Sequence, residues 1–288
     1  MVSVMASETL LEGLNPSQLD AVTHNTGPLL VVAGAGSGKT RVLTHRIAHL
    51  ITSHKISPFE ILAITFTNKA AGEMKDRVGN LVGPVAEQMW VSTFHSACVK
   101  ILRREASLLG YPSSFVIYDQ ADAVRLTTYV MRDLNIDTKK YTPRRMHSLI
   151  SKAKNEMVTP KAFQMNAETY VDEQVAEIYL EYQRRLQKSA AMDFDDLLGR
   201  TVEIFQTSPE VLERYQNRFR HILVDEYQDT NPVQNELVIQ LAKKNRNVCV
   251  VGDQDQSIYG FRSADIRNII EFELKFPDVT VILLEQNY

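Results

Sequence analysis

Residues 33–40 read Ala33-Gly34-Ala35-Gly36-Ser37-Gly38-Lys39-Thr40 and follow directly on an apolar run at 29–32. No other stretch constrains the fold as much, because it demands a buried strand, a tight loop and a helix in immediate succession. Glycines let the backbone curl until several N–H groups point inward, and the following helix adds its positive N-terminus, so such a loop is built for phosphate. Lys39 reaches the β and γ phosphates of a nucleoside triphosphate, and Thr40 offers a hydroxyl to Mg²⁺. The usual P-loop pattern, G-x-x-x-x-G-K-[ST], has glycine where this chain has Ala33; Gly34, Gly36 and Gly38, which curl the loop, are kept.

A P-loop needs a parallel sheet around it. Apolar runs at 29–32, 61–66 and 90–92 alternate with helix-like segments at about 39–53, 68–78 and 94–109. The alternation resumes with runs at 222–225, 248–251 and 279–284, separated by helical stretches at 232–244 and 264–276. Between about 111 and 192 the pattern is mostly helical, with apolar spacings of three and four over 119–134, 143–154 and 168–188; Tyr170, Val171, Ile178, Tyr179, Tyr182 and Leu186 mark the longest of these. The expected fold class is α/β, a P-loop NTPase sheet flanked by helices and interrupted by an inserted all-helical subdomain. The expected boundaries are 1–110 for the first part, 111–192 for the insert and 193–288 for the second part.

Composition narrows the partners. A formal charge of −3 gives no global attraction to nucleic acid, so any DNA contact must come from local patches. The only cysteines, Cys98 and Cys249, are too few for a disulfide framework or a zinc site. Short apolar runs and an N-terminus without a basic-then-apolar signal read as a cytoplasmic protein without a membrane span.

The second half of a nucleotide site stands at Ile222-Leu223-Val224-Asp225-Glu226, a buried-looking strand that ends in two adjacent carboxylates. In this Walker B element Asp225 holds Mg²⁺, partly through water, and Glu226 orients or deprotonates the attacking water. Small-molecule kinases also use a P-loop, so these residues leave hydrolase and kinase open.

Further motifs decide. Leu14-Asn15-Pro16-Ser17-Gln18 precedes the P-loop, Ile64-Thr65-Phe66-Thr67-Asn68-Lys69-Ala70-Ala71 and Val91-Ser92-Thr93-Phe94-His95-Ser96 follow it, and Tyr227-Gln228-Asp229-Thr230 extends the acidic pair. Then comes Val250-Val251-Gly252-Asp253-Gln254-Asp255-Gln256-Ser257-Ile258-Tyr259-Gly260-Phe261-Arg262-Ser263-Ala264-Asp265. In order and spacing these closely resemble the UvrD/Rep/PcrA-type superfamily 1 DNA helicases, over residues 14–288.

The resemblance implies a RecA-like sheet and a set of roles. Gln18 would read adenine, its amide donating and accepting at once, and Gln256 would contact the γ-phosphate and join Lys39, Asp225 and Glu226 as a catalytic group. Tyr288 matches the aromatic that packs on adenine, and Arg41 either faces the nucleotide or is an exposed helix charge. For single-stranded DNA, Phe66, Tyr259 and Phe261 are the matching stacking aromatics, with Asn68, Thr93, His95 and Arg262 as polar contacts. Phe261 stands where a tryptophan is common, and Phe66, at the end of a strand, reads without the family sooner as core.

Within 139–161, Lys139, Lys140, Arg144, Arg145, Lys152, Lys154 and Lys161 face one acid, Glu156, a stretch that either steers DNA or is a solvated helix face. Asp193, in Met192-Asp193-Phe194-Asp195-Asp196-Leu197, is expected to cap the next helix. Relatives continue beyond Tyr288 with an arginine and a second RecA-like domain. The implied protein is therefore an ATP- and Mg²⁺-dependent 3′-to-5′ DNA helicase or translocase of repair or replication. It acts on single-stranded DNA and its junctions with duplex, and this chain is its N-terminal part, binding Mg-ATP without unwinding. The rival is a single-domain ATP-dependent switch acting on a protein partner.

Overall fold

The computed structural model describes residues 10–34, 36–253 and 267–284, and contacts group the chain into two compact units, Met1–Ala97 with Ser208–Tyr288, and Cys98–Thr207. The described strands are β1 (Leu29–Ala33), β2 (Ile61–Thr65), β3 (Trp90–Thr93), β4 (Val116–Tyr118), β5 (Ala191–Asp193), β6 (His221–Val224), β7 (Val248–Gly252) and β8 (Thr280–Leu284). The helices are α1 (Pro16–Thr23), α2 (Lys39–Thr52), α3 (Asn68–Val82), α4 (Phe94–Glu105), α5 (Gln120–Asp133) and α6 (Pro143–Asn155), followed by α7 (Pro160–Met165), α8 (Tyr170–Lys188), α9 (Phe194–Thr207), α10 (Pro209–Arg218), α11 (Pro232–Ala242) and α12 (Arg267–Lys275).

In the first unit the apolar runs form one six-stranded sheet in the order β3-β2-β6-β7-β1-β8, every pairing parallel. Strands buried on both faces need no polar alternation, which is why these runs are continuously apolar. Every residue of β1, β2, β6 and β7 is buried. The edge strand β8 leaves Val281 and Leu283 exposed. On one face Ala21 and Val22 of α1, Val42, Leu43 and Ile47 of α2, and Met74 and Val78 of α3 pack with Leu29, Val31, Ala63, Leu223 and Val251 of the sheet. Each large side chain so buried contributes on the order of 2 kcal/mol before entropy is subtracted. Because all the strands are parallel, their carboxyl ends lie along one edge of the sheet, where α/β folds place their ligands.

The second unit is a helical cluster around Val130, Met131, Met146, Ile150, Val175, Ile178, Tyr179, Tyr182 and Leu186. Along α8 the buried positions recur at three- and four-residue intervals, while Tyr170, at the first helical position, is exposed. Thr169 caps that helix in a reciprocal box with Asp172. Two strands of three residues, β4 and β5, pair in parallel beside the helices.

At the amino ends of the sheet strands a buried cation is served by carbonyls. Arg46 on α2 is 4% exposed, and its Nη1 donates to the carbonyls of Ala21 (3.0 Å), Val22 (3.4 Å) and His24 (2.8 Å), fastening the end of α1. Burial, then the Arg46 charge, holds His24 and His221 below the ordinary imidazole range, and His221 comes down to about 4, with Arg220 and His54 adding to the lowering and Glu60 opposing it.

Above pH 6.5 His221 is neutral in both folded and unfolded chains and its contribution is complete. As pH falls from there the unfolded chain takes the proton first, so stability declines until about pH 4. The expected loss is about 2 kcal/mol, allowing for the ring's remaining contact with water. Urea unfolding at about pH 7.5 and about pH 5 should show the midpoint falling, and His221→Gln should flatten that fall.

Candidate nucleotide site

The order β6-β7-β1 sets three strand ends side by side: the P-loop after β1, Asp225 and Glu226 after β6, and Asp253 after β7. In the P-loop Gly36 and Gly38 take φ +80° and +89°, a region that strains any other residue. A Cβ on Gly38 would also lie 2.8 Å from Gln18 Nε2. Ser37 turns inward, its hydroxyl donating to the Gly34 carbonyl at 2.6 Å. Helix α2 begins at Lys39, with Thr40 half-buried in its first turn, so the unpaired N–H groups of the helix start lie at the loop.

Gln18 is fully buried against the loop. Its Nε2 donates to the Ser37 carbonyl (3.0 Å), and its Oε1 accepts the Asn15 backbone N–H (3.2 Å) within the capping box of α1. An amide carries two donors and two lone pairs, so one of each remains for a base. Arg41 is exposed on α2, and a Cβ on Gly13 would sit 3.2 Å from its Nη2.

Lys39 is the centre of the charged group. Its Nζ lies 3.1 Å from Asp253 Oδ2 and 3.4 Å from Glu226 Oε2. Asp225 is buried, and burial first, then the Glu226 charge, raises its carboxyl to about 6 against the opposing pull of the Glu226 N–H and Lys39. Glu226 follows at φ +50°, a left-handed conformation that turns the chain sharply off the strand. Gln228, in the short 3₁₀ turn Tyr227–Asp229, donates from Nε2 to Glu226 Oε2 at 2.8 Å and accepts the Asp253 backbone N–H on Oε1 at 2.9 Å.

Asp253 and Gln228 were not singled out by sequence reasoning as site residues. The signal for Asp253 was present, since it ends a buried apolar run as Asp225 does. Gln228 carried no such signal.

The donor set fits Mg²⁺. Thr40 and Asp225 offer hard oxygens, and Mg²⁺ takes few protein ligands because phosphates and water complete its octahedron. Among the described residues no group of three or more His, Cys, Asp or Glu side chains can hold a metal by itself.

Four of the residues matched to DNA contacts lie at the same carboxyl edge, after β2 and β3. Phe66 is half-buried, edge-on to Phe94 with ring centroids 5.8 Å apart, so it is neither fully core nor free. Asn68 is exposed at the first position of α3, and His95 is half-buried on α4. Thr93 is buried, its Oγ1 donating to Ser96 Oγ (3.0 Å) and accepting the Ser96 N–H (3.2 Å) at the start of α4. Ala35, Gln256, Tyr259, Phe261, Arg262 and Tyr288 lie outside the described residues.

In the second unit Lys139, Lys140, Arg144, Arg145, Lys152 and Lys161 are exposed. Lys154 departs from the stretch in which the sequence placed it. It is buried, with Nζ 2.7 Å from Asp193 Oδ2 and 3.0 Å from Asp196 Oδ1. Asp193 Oδ1 accepts the Asp196 backbone N–H at 2.8 Å, the capping geometry expected of it. No helix among the described residues is long and apolar enough to cross a membrane.

Comparison with known families matches residues 14–277 to the UvrD/REP helicase N-terminal domain. Relatives include the protein named ATP-dependent DNA helicase PcrA in Bacillus subtilis (strain 168), 53% identical over 282 residues, which are 98% of this chain and 38% of the relative. The protein of that name in Staphylococcus aureus (strain Mu50) is 54% identical over 279 residues, 97% of this chain and 38% of the relative. That in Staphylococcus epidermidis is 53% identical with the same coverage. The chain therefore spans 38% of the length of these relatives.

Proposed function

This chain belongs to the UvrD/REP helicase N-terminal domain family, and from that premise we propose that it is the ATP- and single-stranded-DNA-binding part of an ATP-dependent 3′-to-5′ DNA helicase or translocase of repair or replication. The observation that carries the reading is the meeting of Lys39, Asp225, Glu226 and Asp253 at three adjacent strand ends. The P-loop N–H groups and Lys39 bind and orient the triphosphate, Lys39 exchanging carboxylate oxygens for phosphate oxygens. Thr40 and Asp225 would hold Mg²⁺, which when bound neutralises phosphate charge. Glu226 already has Oε2 engaged by Gln228 and Lys39, so Oε1 is the oxygen available to take a proton from water. Gln18 reads adenine with its remaining donor and lone pair.

The DNA strand runs along the same edge, stacking on Phe66 and meeting Asn68, Thr93 and His95, with Tyr259, Phe261 and Arg262 continuing the track and Gln256 linking it to the γ-phosphate. The exposed basic side chains within 139–161, in the inserted subdomain expected over 111–192, steer DNA toward the site. A second RecA-like domain of the same protein completes the site, with Tyr288 against adenine. The setting is cytoplasmic. The relatives matched over 97–98% of this chain are named ATP-dependent DNA helicases, and the switch reading has no such support.

The test is ATP turnover by the 288-residue chain with and without single-stranded DNA, alongside Mg-ATP binding and strand separation. Expected are Mg-ATP binding, slow turnover, at most weak stimulation by DNA and no unwinding. Failure to bind Mg-ATP would refute the nucleotide site. Robust unwinding by these residues alone would refute the reading as one part of a two-domain motor.

A further inference from the structure

Gln228 is fully buried between the two acidic strand ends, and both atoms of its amide are used. Its oxygen accepts the Asp253 N–H, which fixes which end of the amide is which: an N–H donor needs the carbonyl oxygen, so the NH₂ must face Glu226. Gly252 makes the space, since a Cβ there would lie 3.2 Å from Gln228 Oε1 and 3.5 Å from Gln228 N. Glu226 stands in a left-handed conformation with its side chain 36% exposed, so packing alone does not hold its carboxylate. The Gln228 amide and Lys39 both engage Oε2, and Lys39 is the group expected to turn toward phosphate. Gln228 then remains as the holder of that oxygen.

We propose that Gln228 is a positioning residue for hydrolysis: its amide fixes Glu226 Oε2, aims Oε1 at the attacking water and ties that carboxylate to the end of β7. The proposal rests on the reading of this site as an ATP-hydrolysing one. In the transfer itself water loses a proton to Glu226 Oε1 as its oxygen bonds to the γ-phosphorus and the bond to the β-phosphate oxygen breaks, leaving ADP and phosphate. Gln228 touches none of these atoms and acts through Glu226.

Two variants separate this from a merely structural role. Gln228→Met keeps the volume and removes both hydrogen bonds. Gln228→Glu keeps an acceptor for the Asp253 N–H, but its second oxygen can donate to Glu226 only when protonated. Affinity for a non-hydrolysable Mg-ATP analogue, melting temperature and single-turnover hydrolysis with protein in excess are measured for each. Both variants should bind the analogue within about threefold of wild type and hydrolyse ATP about tenfold or more slowly near pH 8. With each rate taken relative to wild type at the same pH, because Asp225 also takes protons near 6, lowering the pH toward about 6 should bring Gln228→Glu closer to wild type, its introduced carboxyl then mimicking the amide, and should leave Gln228→Met as far behind. Wild-type hydrolysis rates in both variants would overturn the proposal, as would losses that track affinity and melting temperature with no recovery at low pH. A wild type that fails to bind the analogue, or that binds it but does not hydrolyse ATP in the single-turnover assay, would instead overturn the reading of the site itself.

Discussion

Replacing Lys39 by alanine is expected to lower ATP turnover by about 10³-fold, the scale at which a lost cation acts on a transferring phosphoryl group. The ammonium is held at the strand ends, 3.1 Å from Asp253 and 3.4 Å from Glu226, with its side chain 11% exposed. Turning from these carboxylates to phosphate, it brings a nearly buried charge to where negative charge develops, and the low local dielectric strengthens the effect. The same contacts predict a second consequence. Asp253 and Glu226 lose their shared cation, which should destabilise the first unit by roughly 1–3 kcal/mol. Lys39→Met, which keeps the stem, should lose as much turnover and less stability. Turnover and nucleotide affinity measured beside urea unfolding separate the two effects. Near-normal affinity and turnover in a folded Lys39→Ala protein would mean that this lysine does not serve phosphate.

The parts of this site that could be read from the sequence are those in which one local run carries both the element and its chemistry. β1 and β6 are legible because a strand buried on both faces is continuously apolar, and the chemistry sits at the end of the run, at Gly34 to Lys39 and at Asp225 with Glu226. What was not legible is pairing across distance. Lys39 and Asp253 are far apart in the chain, and only the strand order β6-β7-β1 makes them neighbours. Gln228 has meaning only once β7 lies beside β6, because its acceptor serves an N–H at the end of β7. The insert is expected over 111–192, where the strand alternation stops and resumes, and the compact unit Cys98–Thr207 contains that span. Helix α9 packs with α6 and β5, and nothing in its own sequence announces those partners. Strands of three residues such as β4 and β5 are too short to show a period.

Lys154 shows how a legible signal was outvoted. Met146, His147, Ile150, Ala153 and Lys154 are the buried positions of α6, at three- and four-residue spacing, so the lysine lies on the apolar stripe and not on the basic face formed by Arg144, Arg145 and Lys152. A lysine in such a position must be paired. Here it meets Asp193 and Asp196, Tyr182 donates to Asp193 Oδ2 at 2.8 Å, and Gln183 donates to both oxygens of Asp196 at 3.1 and 3.2 Å. Burial alone would push the ammonium down, and the two carboxylates more than offset it, so Lys154 is held well above its ordinary range.

Lys154→Ala is therefore expected to destabilise the second unit by about 4 kcal/mol, because it removes the cation that touches both carboxylates and leaves them buried together, with Arg200 Nε 3.9 Å from Asp196 Oδ1. The sign of the pH dependence follows. Asp196, which burial and then the Asp193 charge hold above its ordinary range against the pull of Lys154 and Arg200, loses the lysine's share of that pull. The destabilisation is then full at neutral pH and shrinks as pH falls and Asp196 takes a proton. Lys154→Met combined with Asp196→Leu should recover part of the loss, since it removes one of the two buried carboxylates, while Asp193 keeps its bonds from the Tyr182 hydroxyl and the backbone N–H of residue 196. Hydrogen exchange localises the effect: protection in α6, α8 and α9 should fall in the single variant and return in part in the double one, while β1, β6 and β7 stay protected in both. Equal stability of wild type and Lys154→Ala at neutral pH would show that water reaches these carboxylates and that the cluster is not the electrostatic centre of the helical unit.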